Sequence, residues 1–373
     1  MSLREMLDAD FRDDYIIEDC LVANQPALDG GESKTLKTTF EVARSISLIS
    51  GVPFLGQFKV NRKCSVFFAT AESGRATVQR TFRGIAKQMG VALDAIDPNM
   101  LKVNWWVPRV SNFDMLDYFS YEAERSKAQV CIIDPLYQVL DDQQASMVLN
   151  GQQLATLCNR ILAMGATPIL VDHAKRSSWN ARDRQPLELN DISGAGKSEY
   201  FRQWMLISRR SKFEPSPAGE PHRHDMWLTI GGSAGHASVW AADISERINS
   251  DRSREYSIEL RSRSDATQHA SESAKTQSKA KADQKAEAIE ARMQRKADKL
   301  MEKIYKGDRA LALTQNDIQG RLGVSGTEIK RVLGILIEDG RLKSVPIAIE
   351  KNSRKFDGYM LADSLGGGMA CND

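Results

Sequence analysis

Over roughly the first two thirds of the chain, short apolar runs alternate with stretches whose apolar residues recur at helical spacing. That alternation predicts an α/β domain. The strand candidates are residues 26–28, 64–71, 130–134, 167–172, 203–208, 226–230 and 238–241. Residues 38–50, 76–89 and 147–164 read as amphipathic helices, the first two ending at Gly51 and Gly90, both suited to the position after a helix. Residues 130–133 are apolar without interruption, as expected of a central parallel strand buried on both faces.

The pattern then breaks. Between Gly235 and Gly307 there is neither glycine nor proline, and Ala, Lys, Glu, Gln and Ser dominate. Residues 261–278 hold too little apolar surface to offset the entropy of ordering and are expected to be disordered. Residues 279–305 combine strong helix formers with opposite charges at helical spacing and predict a solvated helix. A compact pattern returns from 306 to 362. Thr314 with Asp317 opens a short helix, Ser325 caps a second ending near Gly340, and two extended segments, 341–349 and 355–361, flank a polar turn. Helix-turn-helix followed by a hairpin is a winged helix. The expected domains are an N-terminal extension (1–20), an α/β core (21–250), a charged linker (251–305), a winged helix (306–362) and a disordered tail (363–373).

Composition alters this picture only locally. The 51 Lys and Arg nearly balance the 49 Asp and Glu, but the balance is uneven, since residues 251–373 hold 23 basic against 19 acidic residues. Contact with nucleic acid would therefore be local. No apolar run reaches the ~18–20 residues that span a bilayer, and the first residues lack the apolar core of a signal peptide, so the chain reads as cytoplasmic. Five scattered cysteines, Cys20, Cys64, Cys131, Cys158 and Cys371, form no Cys-x-x-Cys pair, and neither disulfides nor a zinc site are expected.

The strongest chemical signal follows the first strand. Gly31, Glu32, Ser33, Lys34, Thr35, Leu36, Lys37 and Thr38 match G-x-x-x-x-G-K-[ST] except at Leu36, where glycine is usual, and Thr39 continues into the helix. The backbone N–H groups of such a loop converge on phosphate oxygens at a helix N-terminus. Lys37 would reach the β- and γ-phosphates of ATP and Thr38 would hold Mg²⁺. The same residues also describe a glycine-led strand–helix turn with a chance Lys-Thr, and Leu36 keeps a degenerate loop that binds no nucleotide in view. Asp134 ends a buried strand, held extended by Pro135, where it would bind Mg²⁺ directly or through water; an ordinary strand-ending Asp that caps the next turn is the alternative. Glu72, at the tip of another strand, can polarise an attacking water. His173 stands at a strand C-terminus, where open α/β sheets bind ligands.

Taken together, Gly30 to Thr38, Ala71-Glu-Ser-Gly74, Ile132-Ile-Asp-Pro-Leu136 and Val171-Asp-His-Ala-Lys175 resemble a RecA-like ATPase, and within that group the RepA-type replicative helicases. Ser193-Gly-Ala-Gly196, Arg202 with Trp204, and the run to Gly235 before Trp240 extend the resemblance over about residues 20–245. It implies a RecA-like P-loop core with a mostly parallel sheet, ATP and Mg²⁺ as cofactors, and ATP hydrolysis coupled to DNA. It also implies a homo-oligomer, most naturally a hexameric ring. Lys37 and Thr38 match the nucleotide-binding pair, Glu72 the catalytic carboxylate, Asp134 the Mg²⁺ carboxylate and His173 the residue linking γ-phosphate to the nucleic-acid loops. Arg202 matches an arginine finger acting across a subunit interface, with Arg209 and Arg210 as rivals.

For DNA, Lys175, Arg176, Arg182 and Arg184 lie in a polar segment after His173 that either faces a ring channel, tracking single-stranded DNA, or is a solvated loop. Thr327, Lys330 and Arg331 lie on the second helix of the winged helix, poised for duplex DNA, with Arg341, Lys343, Lys351, Arg354 and Lys355 at the wing; a protein-binding winged helix is the alternative. Val332, Leu333, Leu336 and Ile337 are expected in its core. Two functions fit: a DNA helicase or replication motor, or a DNA-binding regulator or initiator switched by ATP with little turnover.

Overall fold

The computed structural model describes residues 1–141, 146–175, 184–217, 219–305, 312–348 and 355–363. They form two compact units, Met1–Gln268 and His269–Asp373.

The first unit opens with helix α1 (Leu3–Asp8), capped by Ser2, and a small hairpin of β1 (Tyr15–Ile17) and β2 (Leu21–Val22). The chain continues through β3 (Ala27–Gly31), α2 (Lys37–Ser50), β4 (Val66–Thr70), α3 (Arg75–Gln88), β5 (Leu101–Asn104) and α4 (Phe113–Arg125). It goes on through β6 (Val130–Asp134), α5 (Met147–Ala163), β7 (Thr167–His173), the single turn α6 (Lys197–Tyr200) and β8 (Gln203–Arg209). The antiparallel strands β9 (His222–Gly232), β10 (Ala237–Ile248) and β11 (Arg254–Ser262) complete the unit. Nine strands make one sheet in the order β11-β10-β9-β8-β3-β7-β6-β4-β5, and every pair from β8 to β5 is parallel.

Strand pleating sends neighbouring residues to opposite faces. Phe68, Ile132 and Ile169 accordingly pack in one core with Phe40, Ile46 and Ile85 of α2 and α3. Phe67, Ile133 and Leu170 pack in the other with Phe119 of α4 and Leu154, Leu157 and Ile161 of α5. Val130 to Ile133 are fully buried, as an uninterrupted apolar run requires. The α/β class with a mostly parallel central sheet is the one expected from the sequence.

Two expected boundaries move. Ile16 and Ile17 are 1% and 0% exposed, so residues before 21 already belong to the core. The break placed at residue 250 falls inside the sheet, because β11 pairs with β10 through nine residues. That strand escaped notice because its outward positions are charged. Those charges are satisfied laterally, Arg254 with Glu246 at 2.8 Å and Arg261 with Asp243 at 3.4 Å, which is how an edge strand carries charge. Residues 261–278, expected to be disordered, are the end of β11 and the first turns of helix α7 (Arg263–Leu300). Ser262 Oγ accepts from the Asp265 backbone N–H at 3.1 Å and starts that helix, a cap the composition concealed. Strand β5 and helix α4 were also missed, the latter despite its Asn112 cap.

In the second unit the end of α7 buries Met293, Ala297 and Leu300 against β12 (Leu313–Thr314), α8 (Gln315–Leu322) and α9 (Gly326–Glu338). Strands β13 (Leu342–Ala348) and β14 (Lys355–Leu361) pair antiparallel, with β12 on the far side of β14. Thr314 and Ser325 each cap a helix reciprocally with Asp317 and Glu328. Gly323 takes the left-handed conformation (φ 65°) that turns α8 into α9. Ile318, Ile329, Val332, Leu333 and Leu336 form the core, but Ile337, expected with them, is 41% exposed on the flank of α9. The turn expected at 350–354, with Lys351 and Arg354, lies outside the described residues, as do 364–373.

Candidate active site

The site is assembled at the carboxyl ends of β3, β6, β7 and β4, where the chain leaves the sheet for the helices that cover it. Strand β3 ends in Gly31 because nothing larger fits. A Cβ there would stand 2.5 Å from the Ile207 carbonyl oxygen and 2.9 Å from Thr35 Oγ1. The following loop closes on itself through Thr35 Oγ1, which donates to the Glu32 carbonyl at 2.8 Å. Lys34 and Leu36 both adopt left-handed backbone, with φ 59° and 63°. The position where glycine is usual therefore does require positive φ, and each non-glycine residue there costs about 1–2 kcal/mol. Leu36 offsets part of that cost by packing its half-buried side chain on the α2-side core. Ser33 and Lys34 are exposed, whereas Thr39, one residue past Thr38, is buried in α2.

Lys37 turns its ammonium back into the loop. Nζ donates to the carbonyls of Gly31 (3.2 Å) and Glu32 (2.8 Å) and lies 3.2 Å from His173 Nδ1. An ammonium can only donate, so Nδ1 accepts and the imidazole proton sits on Nε2. Burial, then the Lys37 charge, lowers the His173 pKa, which keeps the ring neutral near pH 7. Burial also lowers the pKa of Lys37, opposed by the carboxylates of Asp134, Glu72, Asp172 and Glu32.

Thr38 Oγ1 donates to Asp134 Oδ2 at 2.7 Å, so the two oxygens named for Mg²⁺ already touch. Asp134 is 2% exposed, and burial pushes its pKa to about 6, against the pull of the Thr38 hydroxyl. Its peptide bond to Pro135 is cis. The Ala71 N–H donates to the Asp134 carbonyl at 3.0 Å, tying the tip of β4 to this carboxylate; Glu72, the next residue, is exposed beside it. Hard oxygen donors and a nearby cationic loop fit a hydrated Mg²⁺ held largely by water and phosphate. Among the described residues no group of three or more His, Cys, Asp or Glu side chains forms a protein-made metal cage.

Two ion pairs that the sequence did not announce support the site. Lys197 Nζ meets Asp172 Oδ2 at 2.5 Å with both side chains at most 3% exposed, and Asp172 Oδ1 accepts from the His173 N–H at 2.8 Å. A lysine directly after Gly194-Ala-Gly196 was the available signal. Behind the loop, Arg44 of α2 bonds Asp29 of β3 at 2.5 Å and lies 3.5 Å from Glu41, all three buried. Burial raises the pKa of Glu41 well above the usual carboxylate range despite the guanidinium.

The candidate arginines separate. Gln203 pairs with Ala27 while Ile207 pairs with Gly31. Arg202 therefore stands at the opposite end of β8 from the loop, five residues or about 17 Å from the position level with Gly31 along the strand. It does not enter the site of its own chain. Arg210 turns onto Asp243 and the Trp227 ring. Arg209, by contrast, donates through Nη2 to the Lys34 carbonyl at 2.6 Å. The Lys175 ammonium bonds the Asn190 carbonyl at 2.5 Å, and Arg176 and Arg182 lie outside the described residues. In the second unit Thr327, Lys330 and Arg331 are exposed along α9, opposite its buried Ile329, Val332 and Leu336.

Residues 9–178 match the family model described as an AAA domain, a stretch that contains the loop, Glu72, Asp134 and His173. The first unit lays that stretch out on an α/β sheet whose strands from β8 to β5 all run parallel. Among solved structures, a KaiC-like protein from the hyperthermophilic archaeon Pyrococcus horikoshii aligns with a TM-score of 0.38 and 17% identity, over 65% of this chain and 93% of that one. None of the curated proteins matches the chain. No helix among the described residues is long and apolar enough to cross a membrane.

Proposed function

We propose that the chain hydrolyses ATP with Mg²⁺ and uses the cycle to act on DNA as a helicase-type replication motor. The observation that carries the ATPase part is the convergence of Lys37, Thr38, Asp134 and His173 on one loop at the carboxyl ends of the sheet. When bound, Mg²⁺ would neutralise charge on the β- and γ-phosphate oxygens. The residues of the chain do the rest. The loop N–H groups and Lys37 hold the phosphates, and Thr38 and Asp134 supply the metal-side oxygens. Glu72 orients the attacking water, and His173 Nε2–H is free to report the state of the γ-phosphate to the segment that follows β7. A ring, with a hexamer as the natural form, would let Arg202 reach the site of a neighbouring subunit that it cannot reach in its own.

The exposed Thr327, Lys330 and Arg331 on α9 favour a winged-helix reading of the second unit, and with it a second function: a duplex-binding regulator or initiator that uses ATP as an assembly signal. One experiment separates the two and tests both. ATPase rate is measured with and without single-stranded DNA for the wild type and Lys37→Ala, alongside strand displacement and mass. A motor shows DNA-stimulated hydrolysis and unwinding, both lost in the variant. Hydrolysis unchanged by Lys37→Ala would remove the active site from this loop, and nucleotide-dependent assembly without unwinding would favour the regulator.

A further inference from the structure

We infer that Arg209 is a positioning residue acting within its own subunit, bracing the phosphate loop against the strain that Leu36 introduces and thereby setting affinity for the triphosphate. The inference rests on the nucleotide-loop reading above and assigns Arg209 a different job from that of a finger reaching into a neighbour.

Arg209 holds the loop at Lys34 and faces Glu32. Its guanidinium donates to the Lys34 carbonyl at 2.6 Å, and burial raises the pKa of Glu32 while the positive charge of Arg209 pulls it down. The guanidinium is itself fixed, lying over the Phe213 ring at 5.1 Å, while Phe213 stacks on His224 at 5.0 Å and 13°. The platform runs from β8 through the connection that carries Phe213 to His224 of β9, and the registers of the two strands with β3 and with each other are set by the sheet. Arg209 thus ties the Lys34 turn of the loop to the adjoining strand.

The need for such a tie lies in the loop. Within three positions Lys34 and Leu36 both hold φ near 60°, a region side chains disfavour, and a glycine at either position would enter it without cost. A strained loop relaxes by rotating the intervening peptides, which would swing the Lys34 carbonyl and scatter the N–H groups that must face phosphate. A charge-assisted hydrogen bond to that carbonyl opposes the rotation and keeps the loop preorganised. Leu36 and Arg209 should therefore be energetically coupled, although the guanidinium bonds Lys34 rather than Leu36 itself.

The test is a double-mutant cycle of wild type, Arg209→Ala, Leu36→Gly and the double variant, titrated calorimetrically with Mg²⁺ and a non-hydrolysable ATP analogue. Arg209→Ala is expected to weaken binding about tenfold, the size of one lost charge-assisted hydrogen bond, with kcat at saturating ATP little changed. Arg209→Lys, which keeps a donor, should fall between. In the Leu36→Gly background the loss should shrink to about threefold or less. Equal losses in both backgrounds would overturn the brace, and so would unchanged affinity with kcat lowered by ~10³ or more, the signature of a finger. If the wild type binds no nucleotide, the loop reading itself fails. The same four proteins then still decide the brace by thermal unfolding without nucleotide. Arg209→Ala should lower Tm more in the wild-type background than in the Leu36→Gly background, and equal shifts would refute it.

Discussion

Replacing Asp134 by asparagine should make the nucleotide-free protein more stable while abolishing Mg²⁺-dependent hydrolysis. The carboxyl is 2% exposed, and its pKa is pushed by burial from 3.8 to about 6. The folded protein therefore holds this proton up to about pH 6, whereas the unfolded chain releases it near 3.8. The unfolded state gains the advantage as pH rises through that window. The destabilisation is absent well below pH 3.8, is small near pH 4, grows toward pH 6 and is complete above it. Two pKa units at 1.36 kcal/mol each put the full cost at about 3 kcal/mol. The asparagine would carry no charge to bury, and its amide oxygen can still accept from Thr38 Oγ1. At 2–4 °C per kcal/mol for a unit of this size, Asp134→Asn should raise Tm by roughly 6–12 °C at pH 8. The gain should fade toward pH 4. The assay is thermal unfolding of both proteins, free of nucleotide, at pH 5, 6, 7 and 8. Taking the difference between the two proteins removes the contribution of carboxylates that do not sense Asp134. A variant less stable than the wild type at pH 8, or a difference independent of pH, would refute the assignment of a strained, solvent-deprived carboxylate. In the wild type the proton also competes with the metal, so the Mg²⁺ needed for half-maximal hydrolysis should climb as pH falls below about 6.

Two further outcomes test the scaffold and the second unit. Arg44→Ala would leave Asp29 and Glu41 buried without a counter-charge and should cost about 3–5 kcal/mol in urea unfolding; a loss below about 1 kcal/mol would refute the role of the guanidinium as their counter-charge. Replacing both Lys330 and Arg331 by alanine should flatten the slope of log affinity against log salt for duplex DNA by up to about 2, measured by fluorescence anisotropy, since each phosphate contact contributes about 0.9. An unchanged slope would take α9 out of any DNA interface.

The parts of this molecule legible in the sequence are those whose physics is local. A strand buried on both faces is apolar throughout, so Val130–Asp134 could be read residue for residue, and the loop is announced by glycine, lysine and threonine at fixed spacing. What stayed hidden depends on partners far along the chain. Strand β11 resembles linker because its charges are answered from β10, and Lys197 looks like a surface residue until β7 brings Asp172 beneath it. The loop itself shows the boundary most sharply. Sequence could say that Leu36 would be strained if the position demanded positive φ; only the fold shows that it does, and that Arg209, 173 residues later, is held against the same loop. A missing glycine is thus weak evidence for a dead phosphate loop. Its cost, about 1–2 kcal/mol, is no larger than what one well-placed charge-assisted hydrogen bond and a half-buried leucine side chain can return. The departure from the usual motif and the arginine at the end of β8 are better understood as two halves of one solution than as a defect and a bystander.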